Sequence, residues 1–238
     1  MADDLKRKVV GILLRDENQV RIDRGEFDEI YKILMNENWI TAMGDWEACS
    51  CLTQLLADEL NVDISNIIQN LGYVPDGFAY RFRSLASIRI PDNVTSIGKY
   101  AFCDCASLKN VTIPDSVTTI GGNVFSGCGL LKEILLRGVQ SIPSFAFSST
   151  GIEKIVLCDQ LKSIEMHSFS NCKSLKSIDL PSTLEAIGER AFYATPISDI
   201  NYNGTSMQFK KIKKHRRWHE GCLCDTMIHC TDKDLIYK

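Results

Sequence analysis

The side chains best suited to chemistry lie near the C-terminus, where histidines and cysteines are concentrated. Imidazole and thiolate groups are the usual protein ligands of zinc, so four of these residues could surround one ion. Their spacings are shorter than those of common zinc modules, and strand alternation in residues 227–232 already assigns one cysteine to the core. Core packing is therefore the main interpretation. The alternative is a zinc site formed by His219, Cys222, Cys224 and Cys230.

A basic run precedes this cluster. Thr205 and Gln208 have the pattern of a capping box, which predicts a helix that begins there and packs Phe209 and Ile212 on the preceding structure. The basic side chains would then face water, either as a solvated surface or as a site for an acidic protein or a nucleic-acid backbone. They are Lys210, Lys211, Lys213, Lys214, Arg216 and Arg217.

Residues 55–71 have the apolar spacing of a helix-turn-helix. However, no lysine or arginine occurs between Lys32 and Arg81, and neutralisation of phosphates dominates affinity for DNA. A plain helical hairpin is therefore favoured, and we expect no nucleic acid among the partners. The alternative is nucleic-acid association through residues 55–71 together with residues 210–217.

Motifs of common enzymes are missing from the sequence. It contains no Walker loop, no G-x-S-x-G and no H-E-x-x-H. We therefore expect neither enzymatic activity nor a cofactor.

An internal repeat positions these candidates. Each copy alternates at period two and then breaks, which predicts one or two short strands and a tight turn. A unit of this size cannot bury its own apolar face, so the copies must stack. The leading apolar residue recurs in steps of 23, 23, 21, 23 and 22 residues, at Leu85, Leu108, Leu131, Ile152, Leu175 and Ile197.

Other slots of the repeat predict what lies inside the stack. Cys105, Cys128 and Cys172 share one slot, where a thiol acts as a small buried hydrophobe. Glycines recur at turns where we expect a positive φ, at Gly98, Gly121 and Gly188. A ladder of aromatic rings is predicted from Phe102, Phe125, Phe147, Phe169 and Phe192.

The block SIRIPDNVTSIGKYAFCDCASL, residues 87–108, resembles the BspA-type leucine-rich repeat. Residues 200–205, a helix containing Phe209 and a closing strand over residues 227–232 resemble the terminal coil of that family. The resemblance covers about residues 74–232. It implies a solenoid of parallel strands, a protein-binding role and a bacterial or bacteriophage origin, and it names no partner.

Three regions follow from these patterns, and together they predict an α+β fold. Residues 1–73 read as a small helical domain that caps a β-rich solenoid in residues 74–204, and residues 205–238 close it with the basic helix and a strand. Four helices are expected in the first region: around residues 5–13, around residues 27–34, after Asp45, and from Asp63 to Gly72. The third would bury Cys49, Leu52, Leu56 and Leu60, and the fourth Ile64, Ile67, Ile68 and Leu71.

The first strand of each copy should present two rows of outward side chains. Leu135 and Val156 form an apolar pair in a row that is otherwise polar, as in the core of an interface. The residues we expect to contact a partner are Arg89, Thr112, Glu133, Leu135, Lys154, Val156, Asp179 and Asn201.

Composition bounds the setting. The net charge of −3 gives no general attraction to nucleic acid or anionic lipid, and the N-terminal run VVGILL is too short for a secretion signal or a membrane span. At least three of the ten cysteines occupy one repeat slot as small buried hydrophobes, so reduced thiols in a cytoplasm are favoured over a disulfide framework. We therefore expect an intracellular adaptor or inhibitor, for example a phage or bacterial inhibitor of a host or defence protein, and a surface adhesin is the alternative.

Overall fold

The computed structural model describes residues 50, 53, 54, 57 and 64–237. The first two expected helices, and Cys49, Leu52, Leu56 and Leu60 of the third, lie outside the described residues. Helix α1 (Ile64–Leu71) confirms the fourth: Ile64, Ile67 and Ile68 are buried, whereas Leu71 is only partly buried. It ends at Gly72, whose φ is +73° and whose N–H donates to the carbonyl of Ile68 at 2.9 Å, a helix terminus that favours glycine.

Short parallel strands follow in pairs, as the repeat predicted, and one antiparallel strand ends the chain. In chain order the strands are β1 (Ser87–Arg89), β2 (Ser96–Ile97), β3 (Asn110–Thr112), β4 (Thr119–Ile120), β5 (Glu133–Leu136), β6 (Ser141–Ile142), β7 (Lys154–Leu157), β8 (Ser163–Ile164), β9 (Ser177–Pro181), β10 (Ala186–Ile187), β11 (Asp199–Asn203), β12 (Lys213–Lys214), β13 (Thr226–His229) and β14 (Leu235–Tyr237). We call the side formed by β1, β3, β5, β7, β9, β11 and β13 the strand face. Strands β2, β4, β6, β8, β10 and β12 form the second side, and tight turns form a third side.

Equivalent residues of successive coils lie side by side. On the strand face, Ser87 is opposite Asn110, Glu133 is opposite Lys154, and Ser177 is opposite Asp199. On the second side, β6, β8, β10 and β12 form one continuous parallel sheet. A partial coil precedes β1, because Val74 bridges to Ile97 and so continues the second side toward α1.

The core contains the expected ladder of phenylalanines. The rings of Phe102, Phe125, Phe147, Phe169 and Phe192 are fully buried and stack with centroids 5.5, 5.8, 5.5 and 5.6 Å apart. At each end the stack stops on an edge-to-face contact, with Phe78 at 6.4 Å and Trp218 at 6.4 Å. Rotated rings therefore close the ladder next to α1 and next to the last coil.

The repeated glycines do not have the positive φ that the sequence predicted. A Cβ atom on Gly98, Gly121 or Gly188 would lie 2.3–2.5 Å from backbone atoms of the preceding coil, so close approach of the chains explains these glycines. The positive φ occurs two residues later. It falls on Tyr100, Asn123, Phe145, His167 and Arg190.

The C-terminal region is more β-rich than expected. Helix α2 (Ser206–Lys211) begins with the expected capping box, in which the Gln208 side chain accepts from the Thr205 N–H at 2.8 Å. The expected basic helix was to carry all six basic residues, but it ends at Lys211, because Lys213 and Lys214 pair with β10 as strand β12 and extend the sheet of the second side. Strand β13 confirms a closing strand but ends at His229, three residues before the expected end, and the antiparallel β14 beside it was not predicted.

Candidate partner-binding face

The strand face carries two outward rows of side chains. All eight residues expected to contact a partner lie in them, and the register adds Met227 and His229, which the sequence reasoning missed. The repeat pattern stops before Met227, but the strand alternation of residues 227–232 was an available signal, since a strand with Ile228 and Cys230 inward turns Met227 and His229 outward. The first row is Ser87, Asn110, Glu133, Lys154, Ser177, Asp199 and Met227, and the second is Arg89, Thr112, Leu135, Val156, Asp179, Asn201 and His229.

The apolar pair lies near the middle of the second row. Leu135 and Val156 are paired residues of β5 and β7; Leu135 is 36% exposed and Val156 is partly exposed. Beside them, the Nζ atom of Lys154 lies 3.2 Å from a carboxylate oxygen of Glu133. An exposed ion pair of this kind stabilises a fold by only about 0–1 kcal/mol. The pair and its neighbours thus form an apolar centre with a charged border.

The C-terminal end of the second row is a polar network. The amide of Asn201 donates to Asp179 at 2.7 Å, and the two ring nitrogens of His229 lie 3.0 Å from Asp199 and 3.2 Å from Asp234. The hydrogen bond to Asp199 is the main cause that raises the pKa of His229. The pKa of Asp199 is lowered, first by the Ser198 hydroxyl and then by His229.

The four residues of the alternative zinc site, His219, Cys222, Cys224 and Cys230, do not form a common cluster. His219 bonds to the Thr226 hydroxyl at 2.6 Å, and the thiols of Cys222 and Cys224 donate to the carbonyls of Phe192 and Ile197, both at 3.4 Å. Cys230 packs against the core. Within residues 64–237, no three Cys, His, Asp or Glu side chains are grouped so that they could hold a metal ion.

The cysteine slot of the repeat has a hydrogen-bonding role that sequence reasoning missed. Its thiol or hydroxyl donates to a carbonyl of the preceding coil, most often that of the stacked phenylalanine, except at Thr150, whose hydroxyl donates to the Phe147 carbonyl of its own coil at 2.8 Å. The donor–acceptor pairs are Cys105 to Ala79 at 3.0 Å, Cys128 to Phe102 at 3.1 Å, Cys172 to Phe147 at 3.0 Å, Thr195 to Phe169 at 2.6 Å and Cys222 to Phe192 at 3.4 Å. The exchange of Cys for Thr at one slot was the available signal, since both side chains can donate.

Burial keeps these thiols protonated. Desolvation raises the pKa of Cys105 to about 12, of Cys172 to about 11 and of Cys222 to about 12. The thiolate is the form that attacks an electrophile or binds a metal. At neutral pH these cysteines therefore act as buried donors.

The basic run does not form one continuous surface. Lys214 folds back, so that its ammonium group donates to the carbonyls of Phe209 and Ile212 and lies 4.7 Å from the Phe209 ring centroid. Arg217 lies 3.6 Å from Glu189 and 3.7 Å from Glu220. The remaining members are exposed and make no ion pair with a described residue: Lys210, Lys211, Lys213 and Arg216.

Comparison with known proteins agrees with this architecture. The family described as "BspA type Leucine rich repeat region" matches residues 73–148 and 140–215 in six copies, which is more than half of the chain. The chain belongs to the BspA-type leucine-rich repeat family. Leucine-rich repeat proteins generally bind protein partners, and their fold is typically non-enzymatic.

Solved structures of bacterial leucine-rich repeat proteins are similar to part of the chain. A leucine-rich cell surface protein from Faecalibacterium prausnitzii is 28% identical over 54% of this chain and 35% of its own, with a TM-score of 0.44. A leucine-rich repeat protein from Eubacterium ventriosum is 30% identical over 52% of this chain and 34% of its own, with a TM-score of 0.49. This chain thus spans about a third of the length of either protein. The comparison with curated proteins gave no match.

In the part of the chain that the structure describes, no helix has the length and apolar character needed to cross a bilayer.

Proposed function

We propose that the strand face binds a protein partner and that the protein acts as an adaptor or inhibitor. The observation that carries this proposal is the apolar pair of exposed Leu135 and partly exposed Val156 in an otherwise polar row. Apolar residues that exclude water at the centre of a polar border are typical of interface hot spots. The repeat family supports the same class of function, because its members generally bind proteins.

The frame that holds this pair is suited to binding without rearrangement. Residues Glu133 to Leu136 pair in parallel with Lys154 to Leu157, and Ile134 and Leu136 are anchored in the core. A side chain that is fixed before binding loses little conformational freedom when the complex forms. Seven strands about 4.8 Å apart give the face a length of about 29 Å, enough for a protein or a peptide.

The free thiols support an intracellular setting for this binding. All eight cysteines between residues 64 and 237 are unpaired, and Cys224 is exposed. Thiols of this kind persist in reducing compartments, whereas secreted domains usually pair them. The cell surface role named for the F. prausnitzii protein is the competing setting.

The binding proposal is tested by the combined substitution Leu135→Asp and Val156→Lys. It places charges in the apolar centre without touching the core, so we expect an unchanged melting temperature and at least thirtyfold weaker binding, about 2 kcal/mol, to a partner isolated by affinity purification. Calorimetry or surface plasmon resonance measures the affinity.

The matched control adds the same two charges elsewhere. Thr118→Asp with Gln140→Lys changes two exposed residues next to the strands of the second side. We expect this variant to bind like the wild type. A fully folded Leu135→Asp, Val156→Lys variant with wild-type affinity would show that the partner uses another surface.

A further inference from the structure

An open groove lies beside the C-terminal end of the strand face. Its volume is about 400 Å³, within the range of roughly 300–1,000 Å³ that is usual for ligand sites. Leu180, Pro181 and Tyr202 are buried and form its floor. Its border is polar and includes Asp159, Asp179, Asn201, Asn203 and His229.

The charge of this border is not balanced within the described residues. Neither Asp159 nor Asp179 lies within ion-pair distance of a described lysine or arginine, and the Asp179 carboxylate accepts from the Asn201 amide at 2.7 Å. His229 can carry a positive charge, but Asp199 and Asp234 lie 3.0 and 3.2 Å from its ring nitrogens and offset it. The groove therefore keeps two uncompensated carboxylates above an apolar floor.

We propose that this groove receives a lysine or arginine side chain of the protein partner, an inference that rests on the proposed function. Such a side chain has a long aliphatic stem and a charged end, and it commonly lays the stem on apolar surface while the end stays polar. Here the stem would cover Leu180 and Tyr202. The ammonium or guanidinium group would bond to Asp159 and Asp179, since charge-assisted hydrogen bonds to carboxylates are stronger than neutral ones.

The groove also adjoins the apolar pair, so one segment can occupy both. Asp179 follows Val156 in the second outward row, and Leu157 of the same strand β7 lines the groove. Two strand spacings separate the Leu135 and Val156 pair from the Asp179 and Asn201 pair, a distance of about 10 Å. An extended chain covers that distance in about three residues. The expected partner segment thus carries an apolar residue about three positions from a basic one.

The probe is a series of acetylated peptides in which one to four glycines separate a leucine from an arginine. Each is titrated at low ionic strength into the isotope-labelled full chain while NMR shifts are followed. We expect the best spacing to shift the side-chain amides of Asn201 and Asn203 and the ring of His229. Replacing the arginine by uncharged citrulline should weaken binding at least tenfold.

The matched variants separate this charge effect from general electrostatics. Asp159→Asn with Asp179→Asn keeps side-chain shape, and we expect at least tenfold weaker binding of the arginine peptide. The control Asp115→Asn removes an exposed carboxylate that does not line the groove and should bind normally. Folding of each variant is verified by its NMR spectrum.

Four outcomes would overturn the inference. The first is no NMR shift near the groove at low-millimolar peptide, and the second is equal binding of the citrulline peptide. The third is tight binding of free arginine amide, which lacks the leucine. The fourth is self-association of the protein that the Asp159→Asn, Asp179→Asn change abolishes, because it would assign the groove to a second copy. The proposed function is judged separately. If Leu135→Asp with Val156→Lys abolishes binding of the isolated partner and the asparagine variant binds it normally, the function stands and the groove assignment falls.

Discussion

Cysteine and threonine exchange at one slot of the repeat because both donate a hydrogen bond to a buried carbonyl. Thr195 donates to Phe169 at 2.6 Å and also accepts from the backbone N–H of Cys172 at 3.1 Å. A buried backbone group without a partner costs about 1–3 kcal/mol. The slot therefore contributes through hydrogen bonding as well as through the small apolar volume that the sequence suggested.

The substitution Thr195→Val tests the hydrogen-bonding role of the Thr195 hydroxyl. Valine has the same shape but cannot donate or accept, so we expect the free energy of unfolding to fall by about 1–3 kcal/mol in urea titration. Thr195→Cys should lose less, because a thiol occupies the slot in neighbouring coils. The control Thr118→Val, at an exposed position, should leave stability nearly unchanged. A Thr195→Val variant as stable as the wild type would contradict the hydrogen-bonding role.

Stacked phenylalanine rings hold neighbouring coils of the solenoid together. Phe125 lies 5.5 Å from Phe102 and 5.8 Å from Phe147, and it is fully buried. The coils on both sides are fixed by backbone hydrogen bonds, for example from Phe125 N–H to the carbonyl of Ala146 at 2.9 Å. The surrounding structure therefore cannot collapse onto a missing ring.

We expect Phe125→Ala to lower the free energy of unfolding by about 3–5 kcal/mol, which is the usual cost when a buried aromatic ring leaves a cavity. Denaturant titration gives the value. Phe125→Leu, which fills most of the space, should cost clearly less. A loss below about 1 kcal/mol for the alanine variant would mean that the ladder is not a continuous part of the core.

Elements with a repeated pattern were predictable from sequence, and those set by tertiary pairing were not. Ile134 and Ile155 fill the same slot of successive copies and lie inward, and the period-two alternation of each strand therefore puts Leu135 and Val156 outward, as expected. The basic run had helical spacing, but Lys213 and Lys214 pair with Ala186 and Ile187, and that pairing ends α2 at Lys211. Intrinsic helix propensity is a weak preference, and the pairing of β12 with β10 overrides it here.

The same distinction applies to the candidate site. The repeat register gave eight outward residues of the strand face, because side chains alternate along every strand. The groove depends on how Asp159 and Asn203 approach each other from different coils, and no spacing within one repeat reports that approach. Its carboxylates were consequently invisible as a pair in the sequence.

At the scale of the whole molecule, both ends of the stack need protection. Ile67 and Ile68 of α1 are part of the buried core, and the Asn93 amide donates to the Gln69 carbonyl at 2.6 Å, so α1 packs against the first coil of the described solenoid. At the other end, β14 covers β13 in antiparallel pairing, and Lys213 and Lys214 place charge on the edge strand β12. Unprotected edge strands invite pairing with other chains.

The cysteines provide the last prediction, which concerns the state of the entire chain. Because the cysteines of the repeat slot are buried donors and the thiols at the C-terminal end have separate partners, we expect most of the ten cysteines to be reduced and zinc to be below one equivalent in purified protein. Thiol titration in denaturant and elemental analysis measure these two quantities. Among the eight described cysteines, exposed Cys224 should react first in the native state.

Buried Cys105 should react only as the protein unfolds, since its raised pKa of about 12 leaves almost no thiolate at neutral pH. Cys224→Ser is the control and should remove the fast native reaction of that one thiol. One tightly bound zinc that is lost in Cys222→Ser would instead show that the C-terminal cysteines form a metal site. A native protein whose thiols are mostly oxidised would favour the cell-surface setting over the intracellular one, because disulfides persist where the environment is oxidising.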